Sequence, residues 1–306
     1  MKVVIAGGSG YVGRALAASL QADGHDVVVL TRGAGAWLPW GVRLAQWDGR
    51  TAEGLWAAEL SGAAAVVNLA GASIGEGRWT IPRRNEILTS RITATHALVA
   101  ALERTPSADR PRVLISASGV DYYGDRGEER LTEEGAPGES FLAQVCVQWE
   151  AAARRAEELG VRVVLARTAL VVGRDAPALQ KLAMPFRLFA GGPLGSGRQW
   201  FPWVHLDDAV GLYRLAIERG DVTGALVLAS PTACRQREFA REVGRALGRP
   251  CWLPVPAFGL RLALGRQADL LLHGHRAEPA KAVSLGYQFR YPELGVALRQ
   301  ALSLSA

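Results

Sequence analysis

The stretch Val3-Val4-Ile5-Ala6-Gly7-Gly8-Ser9-Gly10-Tyr11-Val12-Gly13 decides the fold. A short apolar, mostly β-branched run reads as a buried strand, and a glycine-rich turn leads at once into the helical run Tyr11–Asp23. Set between a strand and a helix, G-x-x-G-x-x-G is a phosphate-binding turn. Gly7 permits the tight bend, Gly10 lets the backbone approach a pyrophosphate, and Gly13 lets helix and strand pack closely. The helix N-terminus then offers its free amides to the phosphates. On this reading Gly7, Ser9, Gly10, Tyr11, Val12 and Gly13 line a bound dinucleotide.

Outward from the turn, short strands alternate with longer helical stretches. Val27–Thr31, Ala64–Asn68, Val113–Ser116 and Val161–Ala166 read as strands; Arg84–Glu103 and Phe141–Leu159 read as helices. The alternation predicts an α/β fold with a Rossmann-type doubly wound parallel sheet, whose ligands bind at the carboxyl ends of the strands. After Gly173 the pattern changes. Gly191–Gly197 reads as a flexible loop, followed by Trp200-Phe201-Pro202-Trp203, a helix over Asp207–Arg219, a short strand over Leu226–Ala229 and a helix over Glu238–Leu247. The expected division is a dinucleotide-binding domain over residues 1–173, to which 204–230 returns, and a smaller C-terminal α/β substrate lobe formed by 174–203 and 231–306.

Cofactor choice turns on the end of the second strand. An NAD site places an acid there for the ribose 2′-hydroxyl, whereas this chain reads Leu30-Thr31-Arg32. A guanidinium can pair with a 2′-phosphate and stack on adenine, so Thr31 and Arg32 predict NADP(H) over NAD(H).

Composition narrows the function classes. The chain has 306 residues, of which 49% are hydrophobic and 21% charged, as in an ordinary globular enzyme. Its formal charge of +6 comes from arginines spread along the chain, with no basic block that would mark a nucleic-acid footprint. No stretch is apolar enough for a membrane span, and Met1 leads directly into the first strand, so a cytoplasmic protein is expected. The three cysteines are far apart and no H-E-x-x-H occurs, so no metal site is expected.

With these motifs together, the chain resembles the extended short-chain dehydrogenase/reductases, and within them the epimerase-like group that carries a small C-terminal domain of unknown function. The resemblance spans essentially the full length. It rests on Gly7–Gly13, on Asp48 in Trp47-Asp48-Gly49, on Asn68-Leu69-Ala70-Gly71, and on Arg78-Trp79-Thr80 and Ser90-Arg91. Tyr122-Tyr123-Gly124-Asp125, Phe201–Asp208, Pro254–Phe258 and Phe289–Pro292 add to it. The resemblance implies that Asp48 contacts adenine and that Asn68, Leu69, Ala70 and Gly71 line the cofactor. Ser116 and Arg167, at the ends of two further strands, are also expected on the cofactor side. Relatives dimerise through the helices corresponding to Arg84–Glu103 and Phe141–Leu159, so a homodimer is an expectation.

The chemistry expected of that family is incomplete here. Its dehydrogenases use a serine with a Tyr-x-x-x-Lys pair, in which the lysine favours proton release from tyrosine and holds the nicotinamide ribose. Ser118 matches the serine, but no Tyr-x-x-x-Lys occurs anywhere in the chain. When the helix is registered on Glu150, Leu142 stands at the tyrosine position and Cys146 at the lysine position. Tyr122 and Tyr123 are candidate replacement acids. Arg78, Trp79, Trp200, Trp203 and His205 are candidates for a pocket holding a small polar substrate, with the 191–197 loop as its flap. Two readings follow: an NADP(H)-dependent oxidoreductase or epimerase-like enzyme, or a non-catalytic NADP(H)-binding sensor or scaffold.

Overall fold

The computed structural model describes residues 1–33 and 35–303, so residues 304–306 of the expected substrate lobe lie outside it. The strands are β1 (Lys2–Ala6), β2 (Asp26–Thr31), β3 (Arg43–Gln46), β4 (Ala65–Asn68), β5 (Val113–Gly119), β6 (Arg130–Leu131), β7 (Arg162–Thr168), β8 (Leu170–Val172), β9 (Trp203–His205), β10 (Gly224–Leu228) and β11 (Arg276–Ala277). The α-helices are α1 (Tyr11–Ala22), α2 (Ile81–Arg104), α3 (Phe141–Arg154), α4 (Pro177–Arg187), α5 (Leu206–Glu218), α6 (Gln236–Leu247), α7 (Ala257–Leu264), α8 (Asp269–Leu272), α9 (Ala280–Ser284) and α10 (Leu294–Leu302).

Seven strands form one parallel sheet in the order β10-β7-β5-β4-β1-β2-β3. The chain runs outward from β1 through β2 to β3, then returns to lay β4 on the other side of β1. That reversal opens a crevice at the carboxyl ends of β1 and β4. Both faces of the sheet are buried, which explains the unbroken apolar runs of its strands. Val3 and Ile5 of β1 pack with Leu16, Ala17 and Leu20 of α1 and with Tyr213 of α5. The alternate residues Val4 and Ala6 face Ala94, Leu98 and Leu102 of α2.

A separate core gathers Leu179 and Phe186 of α4, Phe239 and Val243 of α6, and Leu298 and Leu302 of α10 around Trp203. Between these bodies, α5 follows β9 to lie on α1, and β10 takes the edge of the sheet. The small pairs β8–β9 and β6–β11 stand apart from the large sheet.

Among the elements the sequence reading missed, two bear on the argument. β3 is short and half polar, and α4 begins at Pro177 and contains Pro185, which masks its helical pattern. The reading of Gly191–Gly197 as a flap is corrected. Gly191 accepts hydrogen bonds from the amides of Trp252 and Leu253, Val255 donates to Pro193, and Gly195 donates to Val255. These bonds stitch the segment to residues 252–255. Among the described residues, no helix is long and apolar enough to cross a membrane, and no cluster of residues could hold a metal ion.

Candidate functional site

The glycine turn is built by excluding side chains. Gly7 sits at φ +72°, and a Cβ there would lie 2.8 Å from the Leu69 carbonyl carbon and 2.9 Å from the Ala70 nitrogen. The end of β1 and the segment after β4 therefore touch backbone to backbone. A Cβ on Gly13 would lie 2.6 Å from the Gly8 Cα, so α1 can start this close to β1 only with glycine there. Gly10 is the exposed N-cap of α1; no side chain caps it, and the first turn holds no acid. These amides fit a phosphate. Ser9 and Thr31 hydroxyls stand 3.0 Å apart and join the turn to the end of β2. Val12 packs against the core, and the Tyr11 hydroxyl donates to the Arg174 carbonyl at 2.8 Å. Burial raises the Tyr11 pKa, with Asp175 and Asp207 adding to the shift.

Beyond β2 lies an open cavity of about 380 Å³ lined by Arg32, Gln46, Trp47, Asp48 and Arg50. Its one acid is occupied: a single Asp48 oxygen accepts from the amides of Arg50 and Thr51 at 2.8 and 2.9 Å and from the Thr51 hydroxyl at 3.1 Å. Those bonds, from Thr51 first and then Arg50, hold the Asp48 carboxyl below its ordinary pKa. The cavity therefore combines two guanidiniums with a carboxylate engaged in its own turn. Gln46 was missed because β3 was missed, and Arg50 lies in the turn that Asp48 closes just beyond it.

On the other side of the crevice the 68–71 segment is bolted in place. Buried Asn68 donates to the Thr95 hydroxyl at 2.9 Å and accepts from the Ala70 amide at 3.1 Å. The Leu69 amide donates to the Ala6 carbonyl, and Gly71 is exposed at the rim.

At the end of β5 the structure brings together a network that sequence reasoning assembled only in part. The Ser118 hydroxyl donates to a Glu150 carboxylate oxygen at 2.8 Å. Arg167 grips the same carboxylate with two bonds of 2.8 and 2.9 Å. Glu150 is 5% exposed and Arg167 is 3% exposed. Arg167, expected on the cofactor side, is instead committed to Glu150, to the Tyr123 hydroxyl at 3.1 Å and to the Glu133 carbonyl at 3.2 Å. Burial opposes its charge, but the Glu150 carboxylate outweighs that and raises its pKa. Ser116 is fully buried, its hydroxyl turned to the Ala117 carbonyl.

The two tyrosines separate. Tyr123 is 0% exposed and donates to the Thr132 carbonyl at 2.7 Å. Burial pushes its pKa up to about 12 against the lowering effect of Arg167. That placement makes Tyr123 a packing residue and corrects its reading as a replacement acid. Tyr122 is half-buried, with its ring centroid 3.4 Å from the Arg167 guanidinium carbon. Leu142 and Cys146 are buried, and burial pushes the Cys146 thiol up to about 12, as expected of a small core residue.

The candidate substrate residues do not converge on one pocket. Trp203 lies in the second core at 1% exposure, and Trp79 packs on Phe141 with its indole donating to the Ile74 carbonyl. His205 caps α5 by accepting from the Asp207 amide at 3.2 Å, and its other ring nitrogen meets Gln300 at 2.9 Å. Arg78 donates to the carbonyls of Leu262 and Ala263 at the end of α7. Trp200, half-buried, lies between the guanidiniums of Arg235 and Arg276 at 3.6 and 5.0 Å. The first four placements correct the pocket reading: these side chains hold the fold or tie its two parts together.

Residues 3–229 match the family described as NAD dependent epimerase/dehydratase, and residues 255–301 match a domain of unknown function, DUF1731. The epimerase family protein SDR39U1 homolog, chloroplastic, of Arabidopsis thaliana is 39% identical over 306 residues, covering 98% of this chain and 86% of its own. The epimerase family protein YfhF of Bacillus subtilis is 35% identical, covering 99% of this chain and 98% of its own. A crystal structure of the human epimerase family protein SDR39U1 with NADPH superposes with a TM-score of 0.89 at 36% identity. It covers 99% of this chain and 100% of the human one.

Proposed function

The chain belongs to the NAD dependent epimerase/dehydratase family, and on that premise we propose that it binds NADP(H) and acts as an oxidoreductase or epimerase-like enzyme on a small polar substrate. The observation that carries the cofactor choice is Arg32, which faces a cavity whose only acid, Asp48, is bound to its own turn. A 2′-phosphate meets two guanidiniums there, Arg32 and Arg50, against one carboxylate whose Oδ1 is already taken by its own turn. The human relative crystallised with NADPH supports the same choice.

When bound, the nicotinamide supplies a hydride donor or acceptor. The glycine turn and the α1 N-terminus hold the pyrophosphate, and Asn68 fixes the far wall of the crevice through Ala70 and Thr95. Ser118 polarises a substrate carbonyl by turning its hydroxyl from Glu150. Tyr122 is the phenol left to exchange a proton, with the Arg167 cation stacked on its ring. The sensor reading rests on a different observation: Leu142 and Cys146 leave the tyrosine and lysine positions without a proton donor or a cation.

Fluorescence titration tests the cofactor, and turnover tests the chemistry. Arg32→Ala should weaken NADPH roughly ten- to hundredfold, the equivalent of about 1.5–3 kcal/mol, while NADH hardly changes. Equal losses for both would place Arg32 away from the 2′-phosphate. Across a carbonyl panel, Ser118→Ala and Tyr122→Phe should each lower NADPH oxidation about a hundredfold with NADPH affinity intact. A wild-type protein that binds NADPH and turns over nothing in that panel supports the sensor reading.

A further inference from the structure

Arg91, in the middle of α2, is a half-buried cation that the network at β5 does not use. Its guanidinium lies beneath the rim of the crevice: a Cβ on Gly71 would stand 3.0 Å from its Cγ and 3.1 Å from its guanidinium carbon. The glycine at the end of the 68–71 segment therefore leaves the room that Arg91 fills. The side chain is held from below, by a 2.8 Å bond to the Ile87 carbonyl and by the Trp149 ring, whose centroid is 5.0 Å from the guanidinium carbon. It is half-buried, and the Gly71 it lies against is exposed at the rim.

Among the described residues, no carboxylate comes within ion-pair distance of it. The acid nearest in influence is Asp121, which with Cys146 flanks Gly119: a Cβ on Gly119 would lie 3.3 Å from an Asp121 oxygen and 3.7 Å from the Cys146 sulfur. Burial lowers the Arg91 pKa; Cys146 and Asp121 act against that and Arg83 with it. A partly desolvated guanidinium without a counter-ion carries a cost, and a ligand offering electron-rich oxygens would offset it.

We propose that Arg91 holds the nicotinamide-side half of the bound dinucleotide, supplying from α2 the cation that Cys146 cannot supply from α3. The position distinguishes the two halves. Arg32, Asp48 and Arg50 serve the adenosine end beyond β2, whereas Gly71 follows β4 and Gly119 ends β5, on the other side of the glycine turn. The inference rests on the cofactor reading above.

Calorimetric titration with two probes separates the possibilities. NADPH spans both halves, and adenosine 2′,5′-bisphosphate carries the adenosine end alone. Arg91→Met should weaken NADPH about tenfold or more while the bisphosphate stays within about twofold. Arg91→Lys keeps the charge without the fork and should show the same selectivity with a smaller loss. It carries the test if the methionine variant does not fold. Equal losses for both probes, or unchanged NADPH binding, would overturn the assignment. If the wild type binds the bisphosphate but gains nothing from the nicotinamide half of NADPH, the assignment fails while the cofactor reading stands. Failure of the wild type to bind either probe removes the cofactor reading and this inference with it.

Discussion

At the carboxyl ends of one sheet, the β1/β4 crevice and the β5/β7 wall are built on opposite plans. At the crevice the chain withholds side chains, so that Gly7 meets Leu69 backbone to backbone and Gly10 begins α1 with open amides. At the wall it packs charge: Glu150 accepts two bonds from Arg167 and one from Ser118, almost wholly out of water. A crevice of bare amides keeps its hydrogen-bonding capacity for a ligand. A wall whose charges satisfy one another has spent most of that capacity on the fold. The crevice should therefore respond to substitution in binding, and the Glu150–Arg167 pair of the wall in stability.

The largest effect is expected at the wall. Removing one partner of a buried ion pair strands the other, at a cost of about 3–5 kcal/mol. Glu150→Ala leaves Arg167 without its carboxylate, and urea denaturation should show a loss of that size. Replacing both residues by apolar ones of similar bulk should cost much less than the two single changes added together. A Glu150→Ala loss below about 1 kcal/mol would mean that solvent reaches the pair, and the contrast between wall and crevice would collapse.

Gly10→Val reverses the readout. The position is exposed, its φ of −73° suits any residue, and the nearest atom to a Cβ there is the Gly7 carbonyl oxygen at 3.3 Å. The fold should survive, with its circular dichroism close to wild type and a loss of no more than about 1 kcal/mol in urea for the poorer N-cap and the tight contact. The branched side chain would occupy the phosphate's place, so NADPH affinity should fall by about a hundredfold or more, roughly 2.7 kcal/mol. A folded Gly10→Val protein that binds NADPH normally would move the phosphate site elsewhere.

The same contrast governs what could be read from the sequence. The crevice was legible because backbone requirements leave a local trace: a strand, a glycine turn and a helix occupy consecutive residues. Arg32 was legible for the same reason, since it directly follows β2. The wall was not, because Ser118 and Tyr123 at the end of β5, Glu150 of α3 and Arg167 of β7 come from three separated stretches, and nothing local says that Arg167 faces Glu150. Glu150 served only to register α3, although its burial among apolar neighbours of that helix was a signal that it needed a cationic partner. Trp79, Trp203 and His205 were misread because aromatic residues of a pocket and of a core have the same composition. β3 was lost because its Arg43-Leu44-Ala45-Gln46 has too little apolar length to register as a strand, and the floor of the adenosine cavity was lost with it.

Asp48 carries the smallest expected effect and the sharpest test of the boundary between the two plans. It lies in the adenosine cavity, yet its carboxylate does structural work there, closing the 48–51 turn. Asp48→Ala should cost about 1 kcal/mol, the net worth of exposed hydrogen bonds to a charged acceptor, in water and at neutral pH. The sign of its pH dependence follows from the lowered pKa. The carboxylate is favoured in the folded protein, so its contribution is complete above the unfolded value of 3.8 and is lost as pH falls through the lower folded value. The stability gap between wild type and Asp48→Ala should be flat from neutrality to about pH 5 and close below about pH 4. NADPH affinity should change by no more than about threefold, because the carboxylate faces its own turn. A tenfold or greater loss of NADPH with little change in stability would show the opposite. Asp48 would then belong with the glycine turn, as a group kept for the ligand.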